Sequence, residues 1–350
     1  NNKPMFQGHR TIRMVEFDKE ALKVLSDNRV LVNGGVDISK KPIWAEGPRI
    51  YKLNGYYYLM TAEGGTAIDH SEVIYRTKDI TDDFLPYEGN PILTQRHLDP
   101  NRPNPITSAG HADIVKHPNG DWYGVFLACR DYGQDHYNTG RETFLSPVKW
   151  ENDWPIFDLD PEGVKYQYPV PDGVSIDDSL FPLNGNFEFT ETFDDDKLAF
   201  HWMFLRTVKE PWYRLYNSAL ELSLRPETVA GTSNPSFVGH RQQHLNGSVS
   251  VTLDFEPDSE NEKAGILAFQ NETHYYYLSK TSVNGKYEIQ LSKGSAEGEE
   301  ILGKVEITPD QPVELRIAFG TEGYRFSFKT NNKGWVEIGV LNSKYLSTRV

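Results

Sequence analysis

A carboxylate and an imidazole recur at one spacing in this sequence. Glu46 opens the run Glu46-Gly47-Pro48-Arg49-Ile50-Tyr51-Lys52-Leu53-Asn54-Gly55-Tyr56-Tyr57-Tyr58. His111 opens His111-Ala112-Asp113-Ile114-Val115-Lys116-His117-Pro118-Asn119-Gly120-Asp121-Trp122-Tyr123. Superposing the two Asn-Gly pairs gives an offset of 65 residues, from Gly55 to Gly120, and the same 65 separates Glu46 from His111. Two copies of one strand-turn-strand unit predict stacked or radially arranged sheets. Side chains at equivalent places then converge on a shared axis. A carboxyl group there can give or take a proton. An imidazole there can fill a core position, hold a metal or bond a substrate. For a lone histidine the core role is commonest; the repeat moves His111 towards the axis.

Three further groups could join this chemistry. A two-residue turn at Asn54-Gly55 places Glu46 opposite Glu63. Opposed carboxylates repel, and burial raises the pKa of at least one, which keeps a proton available near neutral pH. A bulge near Pro48 would break that pairing, and the competing expectation makes Glu63 a solvated strand-end residue. Arg141, in Thr139-Gly140-Arg141-Glu142-Thr143, begins the third strand of the second copy, where Gly140 suits close approach of a ligand. Its bland alternative is an ion pair with a nearby Asp or Glu. Gly64-Gly65-Thr66 forms a loop but lacks the lysine and spacing of a phosphate cradle.

The elements that must carry these residues read as strands. Thr11–Phe17 and Arg29–Val32 come first. Arg49–Leu53 and Tyr56–Thr61 flank the first Asn-Gly, the strongest short hairpin signal. Val73–Thr77 is a third strand and Phe84–Tyr87 a short fourth. Ala112–His117, Trp122–Ala128, Glu142–Leu145 and an outer stretch from Val148 repeat the plan. Four strands per unit, arranged radially, is the propeller plan. Residues 158–185 are rich in Pro and Gly and read as a crossing between domains. Beyond 187 short alternating strands predict a β-sandwich or jelly roll: Leu220–Leu224, Gly247–Phe255, Gly265–Phe269, Tyr275–Ser279, Lys286–Leu291, Val313–Phe319, Tyr324–Thr330 and Trp335–Val340. Tyr275 and Tyr277 alternate there as core residues do.

Composition bounds the function. A chain of 350 residues suggests two domains. Aromatic residues at 13%, with 28 Gly and 21 Pro, favour an all-β chain. A net charge of −14 without a long basic run repels a phosphate backbone, so nucleic acid is not expected as a partner. Neutral sugars remain compatible. No run approaches the roughly 18 apolar residues of a membrane helix, so no membrane partner is expected. Cys129 is the single cysteine, which forbids an internal disulfide and leaves the compartment open between cytoplasmic and periplasmic or secreted.

Four ordered motifs resemble glycoside hydrolase family 43: Ala45-Glu46-Gly47-Pro48, Ala62-Glu63-Gly64-Gly65-Thr66, Gly110-His111-Ala112-Asp113 and Gly140-Arg141-Glu142-Thr143. The likeness is strongest to its two-domain β-xylosidases and α-L-arabinofuranosidases. Gly265–Leu278 resembles their concanavalin-like C-terminal domain. The resemblance spans almost the whole chain. It implies a five-bladed β-propeller, here partial, over 1–165, a linker over 166–186, and a β-sandwich over 187–350 truncated at its end. It also implies inverting removal of terminal xylose or arabinofuranose from xylan-derived oligosaccharides, with Glu46 as general acid. His111 matches an axial histidine that in some members holds a calcium ion or an ordered water in the central channel, although the chemistry itself requires no cofactor. Arg141 matches an arginine that holds substrate hydroxyls, and Thr66 and Phe144 are candidates for the pocket wall.

The departure from that pattern is large. The family's general-base Asp and the Asp that tunes its acid lie well before the Glu-Gly-Pro motif, and only 45 residues precede Glu46. A blade takes roughly 50–65 residues, so about two and a half blades are expected to be absent. Asp69 and Asp113 do not substitute for the missing pair. The sequence begins Asn1-Asn2-Lys3, without Met, and ends on Arg349-Val350 after a strand-like run; both ends read as cut. The expected partners are xylo- or arabino-oligosaccharides, the chain's own N-terminal segment and a second copy in a homo-oligomer. The alternative is a catalytically incomplete carbohydrate-binding fragment.

Overall fold

The structure, a computed structural model, describes residues 3–175, 181–182, 185–308, 312–330 and 333–349. Among the described residues it is all-β, built from antiparallel sheets with two short 3₁₀ turns at Ile38–Lys40 and Ser343–Leu346. Among the described residues no helix is long and apolar enough to cross a membrane. The chain divides into two compact units, Asn1–Asp135 with Gly140–Ile176, and His136–Thr139 with Asp177–Val350. The linker expected over 166–186 lies partly outside the described residues.

In the first unit, Glu46–Leu53, Tyr56–Glu63, Ser71–Thr77 and Leu85–Pro86 pair in sequence order, and Leu93–Thr94 adds to the third strand. Ile106–Lys116, Trp122–Arg130, Glu142–Glu151 and Trp154–Phe157 form a second sheet in the same order. Strand alternation splits the first sheet into two faces. Tyr58, Met60 and Ile74 pack with Ile106, Ala109, Ala112, Ile114 and Phe126 of the second sheet. Leu59, Val73 and Tyr75 pack the other way, against Ile12 and Val32. Those two belong to a pair of strands, Thr11–Met14 and Arg29–Asn33. Three successive sheets thus stack face to face. Tyr58 is fully buried and packs edge-on against Trp150 and Trp154, while the Arg76 guanidinium lies 4.1 Å over the Trp154 ring.

Sequence and structure differ where turn chemistry and strand length compete. Asn54 and Gly55 both have positive φ, at 51° and 79°, as a two-residue hairpin turn demands. The second hairpin is one residue longer. His117 N–H bonds to Asp121 O at 2.8 Å, leaving Pro118, Asn119 and Gly120 in the loop. The third and outer strands expected at Glu142–Leu145 and Val148 are one continuous strand, Glu142–Glu151, and the outer position goes to Trp154–Phe157. Phe17–Asp18 leaves the first predicted strand to pair with Lys23–Val24.

The second unit contains two four-stranded sheets. One orders Gly247–Leu253, Val313–Phe319, Tyr324–Thr330 and Val336–Leu341; the other orders Lys263–Asn271, His274–Val283, Lys286–Ser295 and Gly298–Ile307. The last of these strands has no counterpart in the sequence reading. Leu278, Ile289 and Leu291 of one sheet meet Leu315, Ile317 and Phe326 of the other in one core. Here the period of two holds, but its phase differs from expectation. Tyr276 and Leu278 enter the common core. Tyr275 and Tyr277 take the opposite face, where the Tyr275 hydroxyl bonds to Glu299 and the Lys263 ammonium lies 5.2 Å over the Tyr277 ring.

Phe326 has no exposed surface and packs edge-on against Tyr276. Phe326→Ala should lower stability by roughly 3–5 kcal/mol through lost burial and the cavity left behind. Urea unfolding followed by tryptophan fluorescence measures it; a loss below about 1 kcal/mol would contradict this placement of the core.

Candidate active site

Glu46 begins its strand beside the segment that leads into it. Trp44 N–H bonds to Gly8 O at 2.8 Å, and Gly64 N–H bonds to Ile43 O at 2.9 Å. These two bonds hold residues 43 and 44 between the N-terminal segment and the Gly64-Gly65 loop. They bring Arg10 to Glu46, with which it forms an ion pair, and place the guanidinium 5.4 Å over the Trp44 ring. A Cβ on Gly65 would come within 2.9 Å of the Trp44 ring, so this loop is glycine because the indole packs against it. Thr66 follows, half-buried.

His111 reaches the same place from the second sheet. Its Nδ1 lies 3.8 Å from a Glu46 carboxylate oxygen, and both side chains are about one-third exposed. The sequence-derived equivalence shifts by one residue. Glu46 pairs with Ala62 and the next pair is Arg49 with Met60, so Gly47 and Pro48 bulge opposite Thr61. Gly110 pairs with Leu127 and the next pair is Asp113 with Val125, so His111 and Ala112 bulge opposite Phe126. Along the ladder Gly47 corresponds to His111, an offset of 64, because the second hairpin loop carries the extra residue. Both bulge residues are left-handed, Gly47 at φ 61° and His111 at φ 56°. A Cβ on Gly47 would run into the His111 ring, which explains glycine there.

The bulge also removes the expected Glu46–Glu63 pair. Glu63 is buried, at 7% exposure, and accepts the Val36 N–H at 3.1 Å. It is neither opposite Glu46 nor a solvated strand end. Burial raises its pKa above the ordinary value, with the Val36 bond acting the other way. Asp113 pairs with Arg49 at 3.0 Å and accepts the Tyr51 hydroxyl.

Arg141 is exposed and makes no ion pair among the described residues; the neighbouring Glu142 takes Arg130 instead, with Nη2 to Oε1 at 2.6 Å. Arg141, Glu46 and His111 all lie close enough to His70 for their charges to bear on it. The structure therefore brings Glu46 and His111 together, with Arg141 and the buried His70 within electrostatic reach. Phe144 is half-buried and pairs with Phe126, the residue opposite the His111 bulge, and the two rings stack with centroids 6.0 Å apart.

His70 and Glu72 flank the start of the strand Ser71–Thr77. His70 is 2% exposed and its Nδ1 lies 2.7 Å from Ser108 O. Burial lowers its pKa, with the Ser108 contact opposing. Glu72 is fully buried and accepts the Ala112 N–H at 2.8 Å. Burial raises its pKa well above the ordinary value, with the bond from the Ala112 N–H acting the other way. Sequence reasoning missed both because it began this strand at Val73. Had it begun at Ser71, alternation would have aligned His70 and Glu72 with Ile74, on the face towards the second sheet. Trp44, two residues before Glu46, and Arg10 were also missed, each being placed beside the site only by the fold.

Among the described residues no group of three or more His, Cys, Asp or Glu side chains could hold a metal ion. Calcium takes six to eight oxygen ligands. The carboxylate nearest His111 is that of Glu46, which is paired with Arg10.

Residues 1–155 match the family described as Glycosyl hydrolases family 43, and residues 190–350 match the Beta xylosidase C-terminal Concanavalin A-like domain. The chain belongs to family 43, with this two-domain arrangement. It is 33% identical over 290 residues to a xylosidase/arabinosidase of Butyrivibrio fibrisolvens, covering 82% of this chain and 54% of that protein. It is 34% identical over 256 residues to a non-reducing end alpha-L-arabinofuranosidase of Bacteroides ovatus, covering 71% and 46%. Among solved structures, a GH43_12 protein retrieved from a capybara gut metagenome superposes with a TM-score of 0.89 at 35% identity, covering 99% of this chain and 66% of that one. The chain thus spans about half the length of the curated relatives it matches.

Two buried groups beside the site give opposite pH dependences. Neutral His70 lets the unfolded chain bind an extra proton below its ordinary value of 6.5, so its contribution to stability is lost as pH falls below that value. Protonated Glu63 lets the unfolded chain release a proton above its ordinary value of 4.5, so stability falls as pH rises from there. In thermal unfolding, His70→Gln should reduce the loss of midpoint on acidification from about pH 7 to 5, and Glu63→Gln should reduce the loss on raising pH from about 4.5. Wild-type slopes in both variants would refute these environments.

Proposed function

We propose that this chain is part of a glycoside hydrolase that removes terminal xylose or arabinofuranose from xylan-derived oligosaccharides with inversion. The observation that carries the reading is the Glu46 carboxylate lying 3.8 Å from the His111 imidazole, beside Arg10. Family membership supports it, and the relatives whose names read xylosidase or arabinofuranosidase narrow the substrate to pentosides. In this reading the stacked sheets within 1–165 are part of a five-bladed propeller, 166–186 is a linker, and 187–350 is a concanavalin-like sandwich.

Glu46 acts as the general acid. It donates its proton to the glycosidic oxygen as the bond to the anomeric carbon breaks. A water attacks that carbon from the opposite face and loses its proton to a general-base carboxylate. Inversion needs the two carboxyl groups about 6.5–9.5 Å apart, leaving room for the water. The carboxyl groups described around Glu46 are otherwise engaged. Glu63 is buried on Val36, Glu72 is buried on Ala112, and Asp113 is paired with Arg49. The likeness to family 43 implies a general-base Asp, which this reading places outside residues 1–350. His111 orients the acid, and Arg141, unpaired among the described residues, binds substrate hydroxyls. Thr66 and Phe144 are assigned to the pocket wall. A chain lacking that base would bind pentosides without hydrolysing them, which is the second reading; the engagement of Glu63, Glu72 and Asp113 favours it for these 350 residues taken alone.

With the intact protein, xylobiose and an arabinofuranosyl oligosaccharide serve as substrates, and proton NMR reads the anomer first released. Inverted product is expected, and Glu46→Gln should slow turnover by roughly 10²–10⁴-fold. An aryl glycoside with an activated leaving group should lose less, because it depends less on the acid. Unchanged turnover of xylobiose in the variant would remove Glu46 from this role. Binding without turnover by the intact wild type would favour the second reading.

A further inference from the structure

We propose that His70 and Glu72 are positioning residues that grip the backbone on both sides of His111 and hold its imidazole against Glu46. Both come from the first sheet, whereas the segment they hold belongs to the second. His70 Nδ1 lies 2.7 Å from the carbonyl oxygen of Ser108, and Glu72 accepts the N–H of Ala112 at 2.8 Å. Between those two points stand Ala109, Gly110 and His111.

The held segment is one that would not keep this shape unaided. Ser108 and His111 both adopt left-handed backbone, at φ 58° and 56°, which costs a non-glycine residue on the order of 1–3 kcal/mol. The ladder to Trp122–Arg130 skips from Gly110 to Asp113, so it does not fix the residues between. Gly110 reports how closely the grip fits: a Cβ there would come within 2.9 Å of the His70 ring. The burial of Glu72 has the same meaning. Glu72 has no exposed surface, its Oε2 takes the Ala112 N–H while its Oε1 is buried without a partner, and leaving that N–H unpaired as well would cost about 1–3 kcal/mol.

His111 sits between the two anchors, so its ring direction follows from them. Loss of one anchor frees the left-handed residue to relax and lets the imidazole swing away from the Glu46 carboxylate. A displacement of about 1 Å in a catalytic array can cost about 100-fold in rate. The kinetic consequence rests on the acid role proposed for Glu46; the structural consequence does not.

The test uses the intact protein with Glu72→Leu, Glu72→Asn and Glu72→Gln. Glutamine keeps an acceptor oxygen at the same reach, asparagine withdraws it by one methylene, and leucine removes it. Hydrogen exchange read by mass spectrometry should show faster exchange in the peptide carrying Ser108–Ala112 for Leu and Asn, with distant peptides unchanged and wild-type protection restored by Gln. On xylobiose, kcat should fall roughly 10–100-fold in Leu and Asn while KM changes by less than about threefold, and Gln should recover it. Should the leucine variant fail to fold, the Asn and Gln pair carries the comparison. Unaltered protection over 108–112 in a folded Leu or Asn variant would overturn the proposal, as would a Gln variant no better than Leu. If the wild type hydrolyses neither substrate, the functional reading falls and the exchange data alone decide the grip.

Discussion

The arrangement around Glu46 depends on two β-bulges at one ladder position in adjacent sheets. A regular antiparallel pair would send successive side chains to opposite faces and keep the strand entrances apart. An extra residue in each ladder bends the strand and re-aims what lies beside it. In the first sheet the left-handed bulge residue is Gly47, and its missing side chain leaves room for a ring. In the second it is His111, which supplies that ring. One position thus carries a vacancy in one copy and the group that fills it in the next, and Glu46 stands immediately beside the vacancy.

Charge and burial around this contact are graded. Glu46 and His111 keep about one-third of their surface, as groups that meet a solute must. Directly behind them His70, Glu72 and Glu63 are closed off from solvent, and burial shifts each towards its neutral form. Neutral groups in that layer can bond to backbone without setting up a second strong field beside the Glu46 carboxylate. Each of the three holds a piece of main chain: Ser108, Ala112 and Val36. The buried polar layer therefore acts on conformation, and Glu46 and His111 remain open to solvent.

The two units solve the burial problem by different means. In the first, the strands Tyr56–Glu63 and Ser71–Thr77 are buried on both faces; Tyr56–Met60 is accordingly a continuous apolar run, whereas Ser71–Thr77 buries Ser71, Glu72 and Thr77 along with Val73, Ile74 and Tyr75. In the second, two sheets enclose one common core and alternation is retained. The aromatic run Tyr275-Tyr276-Tyr277 shows how little phase information such a segment carries. Three successive tyrosines fit either face, and the neighbouring Leu278 decides that Tyr276 is the one in the core.

Much of this was legible in the residues. The Asn-Gly turns, the strand runs, the repeat and the four motifs led to an all-β, two-domain family 43 chain and to Glu46, His111 and Arg141. Local chemistry suffices for these, because a turn type or a motif is written in adjacent residues. Register was not written there. The Glu46–Glu63 pairing failed, and the repeat offset changed by one, because a bulge and a three-residue loop each insert a residue without any strong local signature. Arg10, His70 and Glu72 also needed the fold, since each meets its partner across 36 to 40 residues. The amino-acid order determined which groups are available and which strands carry them. Only packing of sheet on sheet decided which backbone atoms the buried side chains grip, since that choice is made where desolvated polar groups must find partners far away in sequence.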